Sequence, residues 1–91
     1  MQKLIVTGAA NGIGRATVEK AIEAGYFVIG TDKDAAGLKA LTHRYGDDVL
    51  DTQVADFTDD AVIKRFIPEI YARHQSIYAL INNAGIYHGK S

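Results

Sequence analysis

The chain of 91 residues is long enough for one domain and too short for two. Its ten basic and eleven acidic residues nearly cancel, which argues against a surface for nucleic acid or for an anionic membrane. The lack of cysteine excludes disulfides and thiolate chemistry, and no apolar run approaches a membrane span. Because the first strand-like run begins at Lys3, we expect no signal peptide and predict a cytoplasmic location.

Short apolar runs alternate with helix-like segments along the whole chain. Continuous apolar and β-branched residues predict buried strands at Lys3–Thr7, Tyr26–Thr31, Val49–Val54 and Ile77–Ile81. Helices are predicted from Gly12 to Ala24, between a cap at Asp34 and a stop at Gly46, and after a cap at Thr58. The pattern β-α-β-α-β-α-β implies an α/β fold with a parallel sheet and right-handed crossovers, forming one domain over residues 1–91.

Each predicted helix has an apolar face that can pack on the sheet. The first carries a stripe of small residues at helical spacing, namely Ile13, Ala16, Thr17, Ala21 and Ala24. The second carries Leu38, Leu41 and Tyr45, and the third carries Val62, Phe66 and Ile70. Pro68 lies inside the third helix, where its missing N–H predicts a kink or a division.

Three glycines join the first strand to the first helix, within the segment Thr7–Gly14. Gly8 permits a tight turn, Gly12 lets the backbone approach a ligand, and Gly14 lets the helix pack against the strand. The free N–H groups of the first helical turn then form a site for a phosphate or pyrophosphate. A glycine-rich turn without a ligand is the alternative, and the loss of entropy on folding disfavours it.

Asp32 follows the second strand directly. An acid at this place in a dinucleotide fold accepts hydrogen bonds from the adenosine ribose hydroxyls and repels a 2′-phosphate. This favours NAD over NADP, although the neighbouring Lys33 could tolerate a phosphate. The alternative for Asp32 is a solvated loop residue, whereas Asp34 is explained as a helix cap.

The glycine loop, Asp32, Asp56 and the run Asn82-Asn83-Ala84-Gly85 together resemble the short-chain dehydrogenase/reductase family, over nearly the whole chain. The resemblance implies a Rossmann-type doubly wound parallel sheet of strand order 3-2-1-4, in truncated form. It also implies a cofactor site, with NAD as the expected cofactor and NADP as the less favoured one. The cofactor-binding residues so implied are Gly8, Asn11, Gly12, Ile13, Gly14, Asp32, Asp56, Phe57, Asn83, Ala84 and Gly85.

The resemblance assigns a role to each part of this site. The glycine-loop backbone would face the pyrophosphate, Asp32 the adenine ribose, and Asp56 the adenine, while Asn83 would line the cleft and stabilise the sheet. NADP-preferring relatives often carry a basic residue just before the second loop glycine, and Asn11 stands there instead. The family's catalytic Ser and its Tyr-x-x-x-Lys pair have no counterpart in the 91 residues, so no catalytic residue is carried over.

Two hypotheses of function follow. The chain is the NAD(H)-binding part of an oxidoreductase that transfers hydride between the cofactor and a small-molecule alcohol or carbonyl substrate in a full-length parent, or it is a stand-alone, non-catalytic dinucleotide-binding or regulatory module. A third expectation is a homo-oligomer through the exposed edge of the fourth strand, Tyr78–Ile81.

No metal site is expected, because His43, His74 and His88 lack ligand spacing and are interpreted as facing solvent. Asp47, Asp48 and Asp51 are interpreted as a solvated surface.

Overall fold

The computed structural model describes residues 1–83 and shows the predicted alternation of strands and helices. The elements in this part of the chain are β1 (Lys3–Thr7), α1 (Gly12–Glu23), β2 (Phe27–Asp32), α2 (Ala35–Arg44), β3 (Leu50–Val54), α3 (Asp60–His74) and β4 (Ala79–Asn82). Strand boundaries differ from the predicted ones by no more than about two residues, the usual uncertainty of element ends.

The four strands form one parallel sheet in the order β3-β2-β1-β4. The α/β class, the parallel sheet and the strand order 3-2-1-4 are therefore confirmed. The register places Thr7 of β1 opposite Thr31 of β2 and Asn82 of β4. Consequently the carboxyl ends of these strands, and the loops that follow them, meet at one edge of the sheet.

Helices cover both faces of the sheet, which makes the fold doubly wound. Because side chains alternate along a strand, Leu4 and Val6 of β1 face α1 and α2, whereas Ile5 faces α3. The first core cluster consists of Leu4, Val6, Ala9, Ala10, Val18, Ala21, Val28, Leu38, Leu41 and Leu50. The second consists of Ile5, Ile29, Ala55, Phe57 and Ile70, with partly buried residues of α3 around it.

The buried face of α1 differs from the predicted small-residue stripe. Gly14, Val18 and Ala21 are buried, whereas Ile13 is 57% exposed and Ala16 is exposed as well. The helix turns Gly14 toward the glycine loop, and this contact sets which residues follow at helical spacing. Of the predicted stripe, Ala21 alone is buried.

The predicted start of α3 is wrong by one residue. Asp59 is the N-cap, and its carboxylate accepts a hydrogen bond from the N–H of Ala61 at 2.9 Å. Thr58 instead donates its hydroxyl and its backbone N–H to Asp56, so the threonine belongs to the turn before the helix. Both residue types are good caps, and only the turn geometry decides between them.

Pro68 does not divide α3, because the helix continues across it to His74. Proline removes one hydrogen bond to the carbonyl four residues earlier, that of Lys64. Both Pro68 and Lys64 lie on the exposed side of α3. Water can therefore satisfy the freed carbonyl, while Ile70 remains buried against the sheet.

The side chains of His74 and Asp51 were predicted to be solvated, but in the structure they contact each other. The His74 side chain is only 12% exposed, its Nε2 lies 2.9 Å from Asp51 Oδ2, and its ring packs against Phe27. Arg73 adds a second contact to Asp51 at 3.5 Å. The crossover brings the end of α3 over β3, a long-range contact without a local sequence signal. His43 is exposed, as predicted.

Candidate functional site

A cavity of about 360 Å³ opens at the carboxyl ends of the strands. In open α/β sheets this edge, at the point where the strand order reverses, is where ligands bind. The order β3-β2-β1-β4 places that point between β1 and β4. The residues that line the cavity are Gly8, Asn11, Gly14, Asp32, Lys33, Ala55, Asp56, Phe57, Thr58 and Asn83.

Most of the residues predicted for a cofactor lie around this one cavity. Those that line it are Gly8, Asn11, Gly14, Asp32, Asp56, Phe57 and Asn83. Gly12 and Ile13 belong to the same loop and first helical turn but are not among the lining residues, while Ala84 and Gly85 lie outside the described residues.

Three further lining residues were absent from the predicted site. Lys33 follows the last residue of β2, and Ala55 and Thr58 follow β3. Only their position in the sequence could have predicted them, because residues just after parallel strands lie at the same edge of the sheet.

Gly12 and Gly14 of the loop are required for two different physical reasons. Gly12 has a φ of +59°, in the left-handed region, and a Cβ there would meet open space. Gly14 has an ordinary backbone, but a Cβ there would lie 1.7 Å from the carbonyl oxygen of Gly8. The close packing of α1 on the loop after β1 therefore depends on a missing side chain at residue 14.

The N-terminus of α1 differs from those of the other helices. Asn11 occupies the N-cap position without a side-chain cap bond. As in α2, the first turn holds no acidic residue. The carboxylates of Asp34 and Asp59, in contrast, cap α2 and α3. Because the first N–H groups of a helix lack intrahelical partners and carry positive partial charge, the uncapped start of α1 is suited to an anion.

Asp32 ties the end of β2 to the glycine loop. Its Oδ2 accepts a hydrogen bond from the N–H of Ala10, and its Oδ1 accepts one from the N–H of Asp34, both at 3.0 Å. Each carboxylate oxygen can accept more than one hydrogen bond. The side chain is half-buried at the wall of the cavity, where it can still accept from hydroxyl groups.

A second carboxylate bridges the two loops beside Asp32. Asp34 Oδ2 accepts from Nδ2 of Asn11 at 2.9 Å, and Asp34 Oδ1 accepts from the N–H of Gly37 at 3.0 Å. The Asn11 amide, followed by the Gly37 N–H, lowers the pKa of Asp34 below its usual value. Asp34 is therefore a carboxylate at neutral pH, fixed between the glycine loop and α2.

The turn after β3 forms the opposite wall of the cavity. Asp56 Oδ1 accepts hydrogen bonds from both the N–H and the hydroxyl of Thr58, which fixes the turn. Phe57 is buried and tilts against the ring of Phe66 from α3, with 6.4 Å between the ring centres. This wall combines an acidic group with an anchored aromatic ring, a suitable surface for a planar, polar heterocycle.

Polar groups also converge at the end of β4. The Thr7 hydroxyl donates to Oδ1 of Asn82 at 2.7 Å, across the β1–β4 pair. The neighbouring Asn83 is only 8% exposed, and its Nδ2 has no hydrogen-bond partner among the described residues. A buried amide without a partner is costly, and this one lies at the cavity wall. Within residues 1–83 no group of three His, Asp or Glu side chains could hold a metal ion.

The fold and the cavity agree with the comparison to known proteins. The sequence matches the short chain dehydrogenase family over residues 2–91, so the chain belongs to this family. Characterised relatives in the family are oxidoreductases, and the family binds a nicotinamide dinucleotide. None of the helices in residues 1–83 has the length and apolar character of a membrane span.

Individual relatives are similar to the chain at moderate identity. A 2-keto-3-deoxy-L-fuconate dehydrogenase of Xanthomonas campestris is 38% identical over 87 residues, which are 96% of this chain and 27% of that protein. An NADP-dependent 3-hydroxy acid dehydrogenase of Salmonella typhi is 34% identical over 83 residues, 91% of this chain and 33% of that protein.

A solved structure supports the same fold. The crystal structure of a short-chain dehydrogenase from Streptomyces avermitilis superposes with a TM-score of 0.79 at 34% identity, covering 88% of this chain and 30% of that one. The chain thus spans about a third or less of the length of the proteins that it matches.

Proposed function

We propose that the chain is the NAD(H)-binding part of a short-chain dehydrogenase, a single dinucleotide-binding unit over residues 1–91. The observation that carries this proposal is the cavity at the strand ends, where an uncapped helix start and a half-buried acid, Asp32, lie side by side. A dinucleotide has a negative pyrophosphate and ribose hydroxyls that match these two features.

The residues present fit such a cofactor. The backbone N–H groups at the start of α1 would hold the pyrophosphate, Asp32 the adenine ribose, and Asp56 with Phe57 the adenine. The buried Nδ2 of Asn83 is a donor without a partner in the described part of the chain, and the cofactor would supply an acceptor. The full proposed set is Gly8, Asn11, Gly12, Ile13, Gly14, Asp32, Asp56, Phe57, Asn83, Ala84 and Gly85.

The preference for NAD over NADP is argued from charge. Asp32 and Asp34 place two carboxylates beside the glycine loop, and Asn11 stands where a cation would attract a 2′-phosphate. Lys33 also lines the cavity, but it lies between the two acids in sequence. Because the Salmonella relative is named NADP-dependent, family membership alone does not choose between the cofactors, and the carboxylates carry this part of the proposal.

The family suggests the reaction class, which is hydride transfer. We propose this reaction for a full-length parent protein and not for the 91-residue chain alone. A bound nicotinamide supplies hydride transfer to or from an alcohol or carbonyl carbon. The sequence contains no Tyr followed four residues later by Lys, so we expect no turnover by the 91-residue chain alone. A non-catalytic dinucleotide-binding or regulatory module is the alternative, and any turnover of an alcohol by this chain would exclude it.

Titration of the purified chain with NADH and with NADPH, followed by nicotinamide fluorescence, tests the proposal. We expect saturable binding of NADH and weaker binding of NADPH. A chain that is folded by circular dichroism but binds neither nucleotide would retain the family's fold without its function. Preferential binding of NADPH would refute the choice of cofactor while leaving the site in place.

Self-association through β4 is a further proposal. Within the described residues β4 is an edge strand, and Tyr78 and Leu80 are 60% and 49% exposed. An exposed edge with apolar residues can pair with another chain. A second copy of this chain is the partner we propose.

A further inference from the structure

Asn11 occupies a cap position without acting as a cap. Its backbone is extended, with φ −144° and ψ 158°, as an N-cap requires, and asparagine is among the best N-cap residues. Nevertheless its side chain makes no cap hydrogen bond to α1. Its Nδ2 donates instead to Oδ2 of Asp34, across the two loops.

Asp34 is suited to hold Asn11 in this orientation because it uses both carboxylate oxygens. Oδ1 caps α2 through the N–H of Gly37, and Oδ2 remains for Asn11. The first turn of α2 is pressed against the glycine loop, since a Cβ on Gly37 would lie 2.7 Å from the Cβ of Ala10. This packing fixes Asp34 within reach of Asn11.

The orientation of Asn11 decides what the first turn of α1 offers to a ligand. A capping asparagine accepts from the N–H of the second or third helical residue, which here are Ile13 and Gly14. These groups would be the donors for a pyrophosphate, and a cap bond would compete for them. The Nδ2 of Asn83, which has no partner within residues 1–83, independently indicates a ligand in the same cavity.

We propose that Asp34 is a positioning residue for cofactor binding. By holding the Asn11 amide away from α1, Asp34 keeps the N–H groups of Ile13 and Gly14 available to the pyrophosphate of the cofactor. This inference rests on the proposed function, and it adds to Asp34 a role beyond the capping of α2.

The variant Asp34→Ser separates the two roles of this residue. A serine hydroxyl still caps α2, but serine lacks the second oxygen atom, Oδ2, that accepts from Asn11. The Asn11 side chain is then free to cap α1. We expect NADH to bind about five-fold more weakly, the factor that corresponds to one typical N-cap hydrogen bond. Asp47→Ser removes the same charge from the exposed turn before β3 and should leave the Kd for NADH unchanged.

The decisive measurement repeats Asp34→Ser in an Asn11→Ala background. Alanine cannot cap α1, so Asp34→Ser should cause no further loss of NADH affinity relative to Asn11→Ala alone. If Asp34 supports NADH binding by a route that does not involve Asn11, the same loss appears in both backgrounds, and the inference is overturned. Hydrogen exchange gives a second readout without ligand: the amides of Ile13 and Gly14 should exchange more slowly in Asp34→Ser, but not in the double variant.

The outcomes distinguish this inference from the function on which it rests. Unaltered NADH binding by Asp34→Ser overturns the positioning role alone. Failure of the unaltered chain to bind NADH overturns the proposed function and, with it, this inference. If Asp34→Ser is unfolded by circular dichroism, Asp34→Thr carries the same comparison, because threonine also caps a helix through its hydroxyl and also lacks the second oxygen that accepts from Asn11.

Discussion

At the scale of single residues, the loop glycines show two separate ways in which a side chain is excluded. Gly12 is restricted by its backbone angle, and Gly14 by contact with the carbonyl of Gly8. The sequence predicted that Gly14 lets α1 pack against β1, and the structure places this close contact at Gly8, the residue directly after β1. A substitution at each position therefore measures a different physical cost.

We expect Gly14→Ala to reduce the free energy of unfolding by about 3 kcal/mol, because α1 must move from the loop to admit a methyl group. Gly12→Ala should cost only about 1 kcal/mol, the strain of a left-handed backbone at alanine. Urea denaturation of both variants checks this difference. Equal losses would mean that the packing of α1 on Gly8 is looser than the structure shows.

Asp32 has both a structural and a proposed binding role. Asp32→Ala removes the acceptor of two loop N–H groups and the proposed partner of the ribose. We expect NADH binding to weaken by about 1–3 kcal/mol, the range for hydrogen bonds to a charged group, with a smaller preference for NADH over NADPH. Asp47→Ala is the charge control, and an unchanged preference would remove Asp32 from the site.

At the scale of elements, the start of α3 tests which of two neighbouring residues is the cap. Asp59→Ala removes the bond to the N–H of Ala61, and we expect a loss of about 1 kcal/mol in unfolding free energy. Thr58→Ala leaves that bond intact and should cost less. Thermal denaturation of the two variants distinguishes them, and a larger loss for Thr58→Ala would restore the sequence-based assignment.

The cap of α2 predicts a dependence of stability on pH. The pKa of Asp34 is lowered by the Asn11 amide and the Gly37 N–H from an ordinary value of 3.8. The folded chain therefore binds the proton more weakly than the unfolded chain, so the stabilisation is present above about pH 4 and is lost as the pH falls further. The difference in urea midpoint between the unaltered chain and Asp34→Ser should accordingly shrink between pH 6 and pH 3, and a constant difference would contradict the bond to Asn11.

At the scale of the whole molecule, the two edges of the sheet are not equivalent. On β3, Asp51 and Gln53 contact the end of α3 through His74 and Arg73. On β4, Leu80 lies beside Ile5 in the register yet is half exposed. Among residues 1–83, the uncovered apolar edge is thus on the β4 side.

We expect the chain to associate with itself through this edge, and Leu80→Lys to shift it toward monomer, because a lysine on an edge strand opposes pairing. Sedimentation velocity over a range of concentrations measures the shift. Val54→Lys is the matched control, since Val54 is an exposed residue at the end of the opposite edge strand. A chain that stays monomeric at every concentration would exclude this surface as an interface.

Much of the fold of this protein could be predicted from local patterns in the sequence. Strands such as Lys3–Thr7 are continuous apolar runs, and Gly14 and the cap at Asp34 are local stereochemical signals, so the alternation of elements and the parallel sheet were predicted. The motif spacing also predicted most of the cavity lining, because residues after parallel strands converge once the order 3-2-1-4 is given.

Other features depend on contacts between segments far apart in the chain, and the sequence alone did not determine them. The pairing of His74 with Asp51, the rotation of α1 that exposes Ile13, and the bond from Asn11 to Asp34 all arise where two elements meet. The chemistry of a side chain limits which hydrogen bonds it can make, whereas the packing of neighbouring elements decides which of these bonds forms. For that reason the sequence determined the fold and most residues of the cavity, and only the tertiary structure decided that the Asn11 side chain bonds Asp34 rather than its own helix.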